Sequence, residues 1–270
     1  MKTFPRNQSI ARLLLALLLL SYAIVCTAKD HQECELREGG IVRGPKTQKR
    51  IALEFTGHTF AEGAPIILDQ LAKHQAKASF FLTGAFVTNP EFEPVVKRII
   101  KEGHYLGPHS DKHLLYCPWD GPKKTLVSKD QFASDLENNL NKIQKHGLKR
   151  SQIRYWLPAY EWYNEEIVDW SRDKDLTLVN FTPGTRSNAD YTGDKDKNFV
   201  PSKTILESII KKEQQDPNGL NGFLLLLHVG VGPNRTDKMS DHFGELLDYL
   251  SSKGYQFVRI DELLDKKVEN

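Results

Sequence analysis

Cysteine is scarce in this chain: Cys26, Cys34 and Cys117 are the three that 270 positions hold. Long apolar runs are missing too. The longest, over residues 13–25, falls short of the ~20 apolar residues that span a bilayer, which argues against a stable membrane span. An excess of one charge sign is also absent. The formal net charge is +2, and because the first 28 residues hold three cations and no anion, the remainder comes to −1. Nothing in that balance suggests nucleic acid as a partner. No low-complexity linker interrupts the chain, so one principal domain is expected, and 39% hydrophobic content over this length suffices for one sizeable core.

What is present begins with an export signature. Lys2, Arg6 and Arg12 precede the apolar run, and the small residues Thr27 and Ala28 follow it, the layout of a secretory signal peptide over residues 1–28. The mature protein is then expected to be secreted or periplasmic. Cys26 closes the apolar run, which leaves a lipoprotein attached there open. In an oxidising compartment Cys34 and Cys117 either pair or stay apart, and the sequence leaves both readings standing. Residues 29–49 form a polar N-terminal extension, 50–265 the catalytic domain and 266–270 a tail.

From Arg50 onward, short β-rich runs alternate with amphipathic stretches of helical period, the signature of βα units and a parallel sheet. Strands are predicted at 51–55, 78–83, 105–107, 155–158, 176–181, 223–228 and 256–260, with helices at 65–74, 90–102, 129–146, 164–174, 201–215 and 241–253. Pro65 and Pro90 sit where a first helical turn tolerates proline, and Gly103, Gly147 and Gly254 sit where helices end. The alternation fits a distorted, incomplete (β/α)7 barrel of parallel strands better than an open sheet. In such barrels chemistry collects at the C-terminal strand ends.

Just beyond the third predicted strand, Gly107-Pro108-His109-Ser110-Asp111-Lys112-His113 places two imidazoles four residues apart. Neutral imidazole at such spacing can ligate Zn²⁺ or another divalent ion. A surface turn with two solvated rings carries the same pattern. The order of the surrounding segments weighs toward the metal, because from about Gln48 to Leu264 the chain resembles the polysaccharide deacetylases of carbohydrate esterase family 4. The resemblance rests on Ala64-Pro65-Ile66-Ile67-Leu68, Lys77-Ala78-Ser79-Phe80-Phe81-Leu82-Thr83-Gly84, the histidine pair, Leu157-Pro158-Ala159-Tyr160, Leu224-Leu225-Leu226-Leu227-His228 and Lys253-Gly254-Tyr255-Gln256-Phe257-Val258, in that order.

The resemblance implies that His109 and His113 hold a divalent ion, that His228 protonates the leaving group, and that a backbone N–H near Tyr160 steadies the oxyanion. The implied reaction removes an N- or O-linked acetyl group from a polysaccharide or oligosaccharide by attack of water that the metal, with zinc the first choice, makes nucleophilic. Collapse of the tetrahedral intermediate expels an amine or alkoxide that needs a proton, and an imidazole at a strand end suits that task.

The first motif departs from the family. Where the family carries TFDDG, this chain has Glu54-Phe55-Thr56-Gly57-His58, so both aspartates are missing. Thr56 is no base at neutral pH, and Gly57 has no side chain to coordinate anything. His58 lies one residue further on and is the candidate third metal ligand. Glu62 on the same loop is the first candidate for the base, and Glu54, which shares the inward parity of Thr56, is the second.

The arginine that precedes the proline of the third motif in the family is Leu157 here; on the loop after the fifth predicted strand, Arg186 is a candidate to orient a carboxylate or bind substrate hydroxyls, and Asp190 a candidate for the same substrate site that could hold Arg186 or His228. Tyr160 and Trp162, with Tyr163, Tyr116 and Trp119, are candidates to stack on sugar faces. Two other functions compete: a carbohydrate-binding descendant that has lost catalysis, and a hydrolase of another acyl or amide bond.

Overall fold

A computed structural model describes residues 33–121 and 123–265. The expected signal peptide, Cys26 and the 266–270 tail lie outside the described residues. Among those described, β1 (Glu35–Arg37) and β2 (Gly40–Arg43) form a short hairpin. Then come β3 (Arg50–Gly57), α1 (Ala64–Lys73), β4 (Ser79–Leu82), α2 (Gly84–Thr88), α3 (Glu93–Lys101) and β5 (Tyr105–Pro108). The second half holds α4 (Lys129–Gln144), β6 (Tyr155–Trp156), α5 (Glu165–Arg172), β7 (Thr177–Leu178), α6 (Ser202–Gln215), β8 (Phe223–His228), α7 (Phe243–Ser252), β9 (Gln256–Val258) and α8 (Ile260–Leu264).

The sheet runs β1-β2-β8-β3-β4-β5, and β3, β4, β5 and β8 are mutually parallel. β9 pairs with the first residues of β3, Arg50 to Ala52, and β4 with its last, Glu54 to Gly57. Beyond β5 the Leu157 N–H donates to the Pro108 carbonyl and leads into the β6-β7 pair. The sheet thus curls into the incomplete (β/α)7 barrel that the alternation predicts. Two strands were not foreseen, β1 and β2, both from the polar extension; β2 runs antiparallel against β8 and bridges through Ile41 to Val179 beside β7.

Four of the predicted strands are shorter than the sequence suggests, 78–83 yielding Ser79–Leu82 and 256–260 yielding Gln256–Val258. Residues 155–158 yield only Tyr155–Trp156, because Pro158 leads into a turn where Tyr160 and Glu161 take φ of 61° and 54°. Residues 176–181 yield Thr177–Leu178, since on its far side this strand meets β2 through a single bridge. Helix α3 starts at Glu93, with Pro94 rather than Pro90 in its first turn.

Strands buried on both faces need apolar residues at nearly every position, and β3 and β8 show this. Ile51, Leu53 and Phe55 face the helices, packed with Leu68, Phe80 and Phe243. Ala52 faces the barrel interior with Ile41, Phe81, Tyr105, Leu224 and Leu226, and Leu263 and Leu264 of α8 join this cluster. Glu54 and Thr56 share the parity of Ala52. Three helices are fixed by side-chain caps: Ser128 and Gln131 form a reciprocal box on α4, Asn164 caps α5, and Thr83 caps α2 by accepting the Phe86 N–H. No helix among the described residues is long and apolar enough to cross a membrane. No disulfide joins Cys34 to Cys117, and Cys117 is buried in the outer core.

Candidate active site

A cleft of about 720 Å³ opens at the C-terminal ends of the strands. His58 follows β3, His109 and His113 follow β5, and His228 ends β8, so four imidazoles from three strand ends line one hollow.

The turn bearing the histidine pair is held from below by α4. Asp135 accepts from Ser110 Oγ at 2.7 Å and from the backbone N–H groups of Asp111 and Lys112 at 2.9 and 3.1 Å. Asn139 Oδ1 accepts the His109 N–H at 2.8 Å. These bonds sustain left-handed backbone at Ser110 and His113, with φ of 70° and 57°. His109 Nδ1 donates to the Leu157 carbonyl at 2.8 Å, which leaves Nε2 as a lone pair facing the cleft.

His113 stacks on His58 with ring centres 4.6 Å apart and lies 5.2 Å from the His109 ring. His58 Nδ1 is 3.1 Å from Thr83 Oγ1, so the hydroxyl that caps α2 also orients this ring. Burial lowers the pKa of His109 far below the ordinary 6.5, helped by His113. Burial, then His58, brings His113 to about 4, and burial lowers His58. Three neutral imidazoles are the right donors for a divalent cation. Among the described residues, however, no group of three or more His, Cys, Asp or Glu side chains is arranged to hold a metal ion.

His228 is different. Burial works against its charge, yet Asp190 outweighs it and the pKa is raised. The Asp190 carboxylate accepts from His228 Nδ1 at 2.6 Å and from the His228 backbone N–H at 2.9 Å.

Not every expected residue reaches the cleft. Glu62 is not among the residues lining this cleft: one of its oxygens accepts from the backbone N–H groups of Val231 and Gly232 at 2.9 and 2.7 Å and from Lys238 at 2.8 Å. Burial would raise its pKa, but these donors lower it, which makes it a weak base. Arg186 is exposed outside the cleft, its backbone N–H donating to Ser208. Tyr160 and Trp162 do line the cleft, and Trp119 packs against both at 5.7 and 5.8 Å between ring centres. Tyr116 is fully buried against Phe132 and Trp156, so it serves the core rather than a sugar.

The residue that sequence reasoning passed over is Glu161. Its Oε1 lies 4.0 Å from His109 Nε2, and its side chain is 13% exposed. Burial raises its pKa to about 7, with His228 opposing and Asp190 adding to the shift. Pro158 accepts the Glu161 N–H, and Asn180 Nδ2 donates to the Glu161 carbonyl at 2.7 Å, pinning the left-handed turn. The available signal was its place directly after the Leu157-Pro158-Ala159-Tyr160 landmark.

Glu54 is fully buried, and neither carboxylate oxygen has a hydrogen-bond partner. Burial, then Glu161, pushes its pKa up to about 8. An acid whose folded pKa is raised stabilises the fold below its unfolded pKa, and that stability is lost as pH rises through the folded value. Between pH 4.5 and about 8 the metal-free protein should therefore weaken, by roughly 3 kcal/mol at pH 7. Glu54→Gln should flatten this dependence and gain on the wild type as pH rises. Denaturant unfolding at pH 5 and pH 8 measures it, and parallel curves for the two proteins would place the charge elsewhere.

Comparison with known proteins agrees with the fold. The profile of the polysaccharide deacetylase family matches residues 43–179, just over half of the chain. A peptidoglycan-N-acetylglucosamine deacetylase of Bacillus cereus is 26% identical over 84% of this chain and 72% of its own length. The peptidoglycan-N-acetylglucosamine deacetylase PgdA of Listeria monocytogenes is 28% identical over 83% of this chain, which spans only 41% of that relative's length. Among solved structures, a carbohydrate esterase 4 pseudoenzyme from Bacillus anthracis superposes with a TM-score of 0.64 at 22% identity, over 85% of this chain and 70% of the other. A mutant of that pseudoenzyme is described as having restored enzymatic activity. Strand order, strand-end histidines and the matched profile lead to one assignment: this chain belongs to the polysaccharide deacetylase family and has the incomplete barrel of carbohydrate esterase family 4.

Proposed function

We propose that this protein is a metal-dependent deacetylase of an acetylated glycan, with His58, His109 and His113 as ligands of a divalent ion, zinc being the first choice, and His228 as the acid. The observation that carries the reading is that imidazoles from three strand ends line one cleft, with the fourth of them, His228, bonded through Nδ1 to the Asp190 carboxylate at 2.6 Å. Burial lowers the pKa of the first three, while Asp190 raises that of His228.

When bound, such an ion supplies a water ionised near neutral pH and a Lewis acid for the acetyl carbonyl. The chain's own groups do the rest. His109 presents Nε2 because Leu157 holds the other nitrogen, and Thr83 turns His58. His228 gives its proton to the departing nitrogen or oxygen while Asp190 keeps the imidazolium in place. Trp119, Tyr160 and Trp162 form an aromatic wall beside His113 against which a sugar face can stack. Export, expected from residues 1–28, suits a glycan outside the membrane.

A second reading, a glycan-binding protein without turnover, is favoured by one observation. A Cβ at Gly57 would meet Leu82 at 2.8 Å and Phe86 at 3.1 Å, so the space where the family carries an aspartate is filled.

Acetate release separates the two. The purified protein should release acetate from peptidoglycan glycan strands, chitooligosaccharides or acetylated xylan, lose this on chelation and regain it with Zn²⁺. Binding of these glycans with no acetate from any of them, metal supplied, would select the second reading.

A further inference from the structure

Resting on the role of His228 above, we infer that Arg235 is a positioning residue for catalysis: its buried guanidinium locks together the loops that carry His228 and Asp190 and so keeps that pair aligned. Asp190 sits on the short 3-10 turn Ser187–Tyr191 beyond β7, and His228 ends β8, 38 positions further along. Nothing local in the chain fixes one against the other.

Arg235 is fully buried. A guanidinium taken out of water is costly unless its N–H groups are bonded, and here each nitrogen donates to a loop. Nε reaches the Asp237 carbonyl at 2.5 Å. One amino nitrogen donates to the Thr192 carbonyl at 2.8 Å and to its hydroxyl at 3.3 Å, and the other to the Val200 carbonyl and the Ser202 hydroxyl, each at 2.9 Å. The ring of Phe199 covers its face at 4.9 Å, and the Asp237 carboxylate stands at 3.7 Å. The planar fork thus fans across three stretches of backbone, which the single point of a lysine ammonium does not match.

These stretches lead directly to the pair. Thr192 closes the turn that bears Asp190, and its hydroxyl donates to the Ala189 carbonyl at 2.7 Å and accepts the Val200 N–H at 3.2 Å. Arg235 itself lies on the loop that leaves His228. Asp190 directs one oxygen to His228 Nδ1 at 2.6 Å and the other to the His228 backbone N–H at 2.9 Å. A slip of the turn by ~1 Å carries both bonds out of hydrogen-bond range together. Arg235 is not among the residues lining the cleft, so its effect passes through His228 and not through contact with a glycan.

The test compares the full chain as wild type, Arg235→Met and Arg235→Lys by two readouts. One is the downfield proton resonance of the His228 Nδ1–H, assigned by its loss in Asp190→Asn. The other is kcat and KM for acetate release from chitooligosaccharides, or from acetylated xylan where those do not turn over. In Arg235→Met the resonance should broaden or move upfield and kcat should fall on the order of 10²-fold, with KM within about twofold. Arg235→Lys should lie between, because it keeps the charge and loses the fork. Should Arg235→Met fail to fold, Arg235→Lys decides.

Either an unmoved resonance or an unchanged kcat in a folded variant overturns the inference and leaves Arg235 a stabiliser of the loops alone. A wild type without the downfield resonance removes the bond that Arg235 is held to preserve, and the inference with it. If the wild type releases no acetate with metal supplied, the deacetylase reading falls, and the resonance alone then judges whether Arg235 aligns the pair.

Discussion

Replacing His109 with alanine should remove bound zinc and lower acetate release on the order of 10³-fold or more, the several kcal/mol that a metal contributes to stabilising developing charge. The size follows from its position. His109 is the ring shared by every candidate set: it neighbours His113, faces Glu161, and is the imidazole whose free nitrogen a protein carbonyl fixes. Its backbone bond to Asn139 survives the change, so the turn should persist. Losing the donor to the Leu157 carbonyl should cost about 1–3 kcal/mol, which thermal unfolding of the metal-free variant can check. Full zinc affinity together with normal turnover in this variant would remove His109 from the centre and the proposal with it.

The second large effect belongs to His228. His228→Asn should lower kcat by about 10²–10⁴ while zinc affinity stays unchanged, because the residue acts on the leaving group. Loss of zinc in that variant would mean that the ring is a ligand. The pH profile carries more information. The acid works protonated, so activity should fall as pH rises through the His228 pKa, which Asp190 holds above the ordinary 6.5. Asp190→Asn removes the charge that sustains the imidazolium. The basic limb of kcat against pH should then move to lower pH, with the acidic limb unaffected. The linked stability has the same sign: the Asp190–His228 pair contributes fully below the unfolded pKa, and its contribution is lost as pH rises through the raised folded value. An unmoved basic limb would assign the titration to another group.

Particular residues show why some of the site could be read in the sequence and some could not. His109, His113 and His228 stand next to strand signals, and where a strand ends in a parallel barrel fixes which end of the fold its next residue occupies. His58 was reachable for the same reason. Glu62 was read as the base because it follows β3 on the same loop. Its carboxylate instead meets the backbone N–H groups of Val231 and Gly232 and the ammonium of Lys238, which come from 169 or more residues away in sequence. Glu161 was passed over because its orientation depends on two left-handed residues in succession, and that backbone is set by Asn180 across the barrel. The polar extension gave no strand signal strong enough to predict β2, which gains its pairing only where β8 and Val179 already offer edges.

The sequence by itself determined the barrel, because alternating apolar periods can be buried in few ways, and it determined which strand ends carry histidine. Tertiary structure alone decided which carboxylates face those histidines. The direction of a loop side chain depends on which distant backbone donors and neighbouring chains happen to meet it, and no local spacing encodes that.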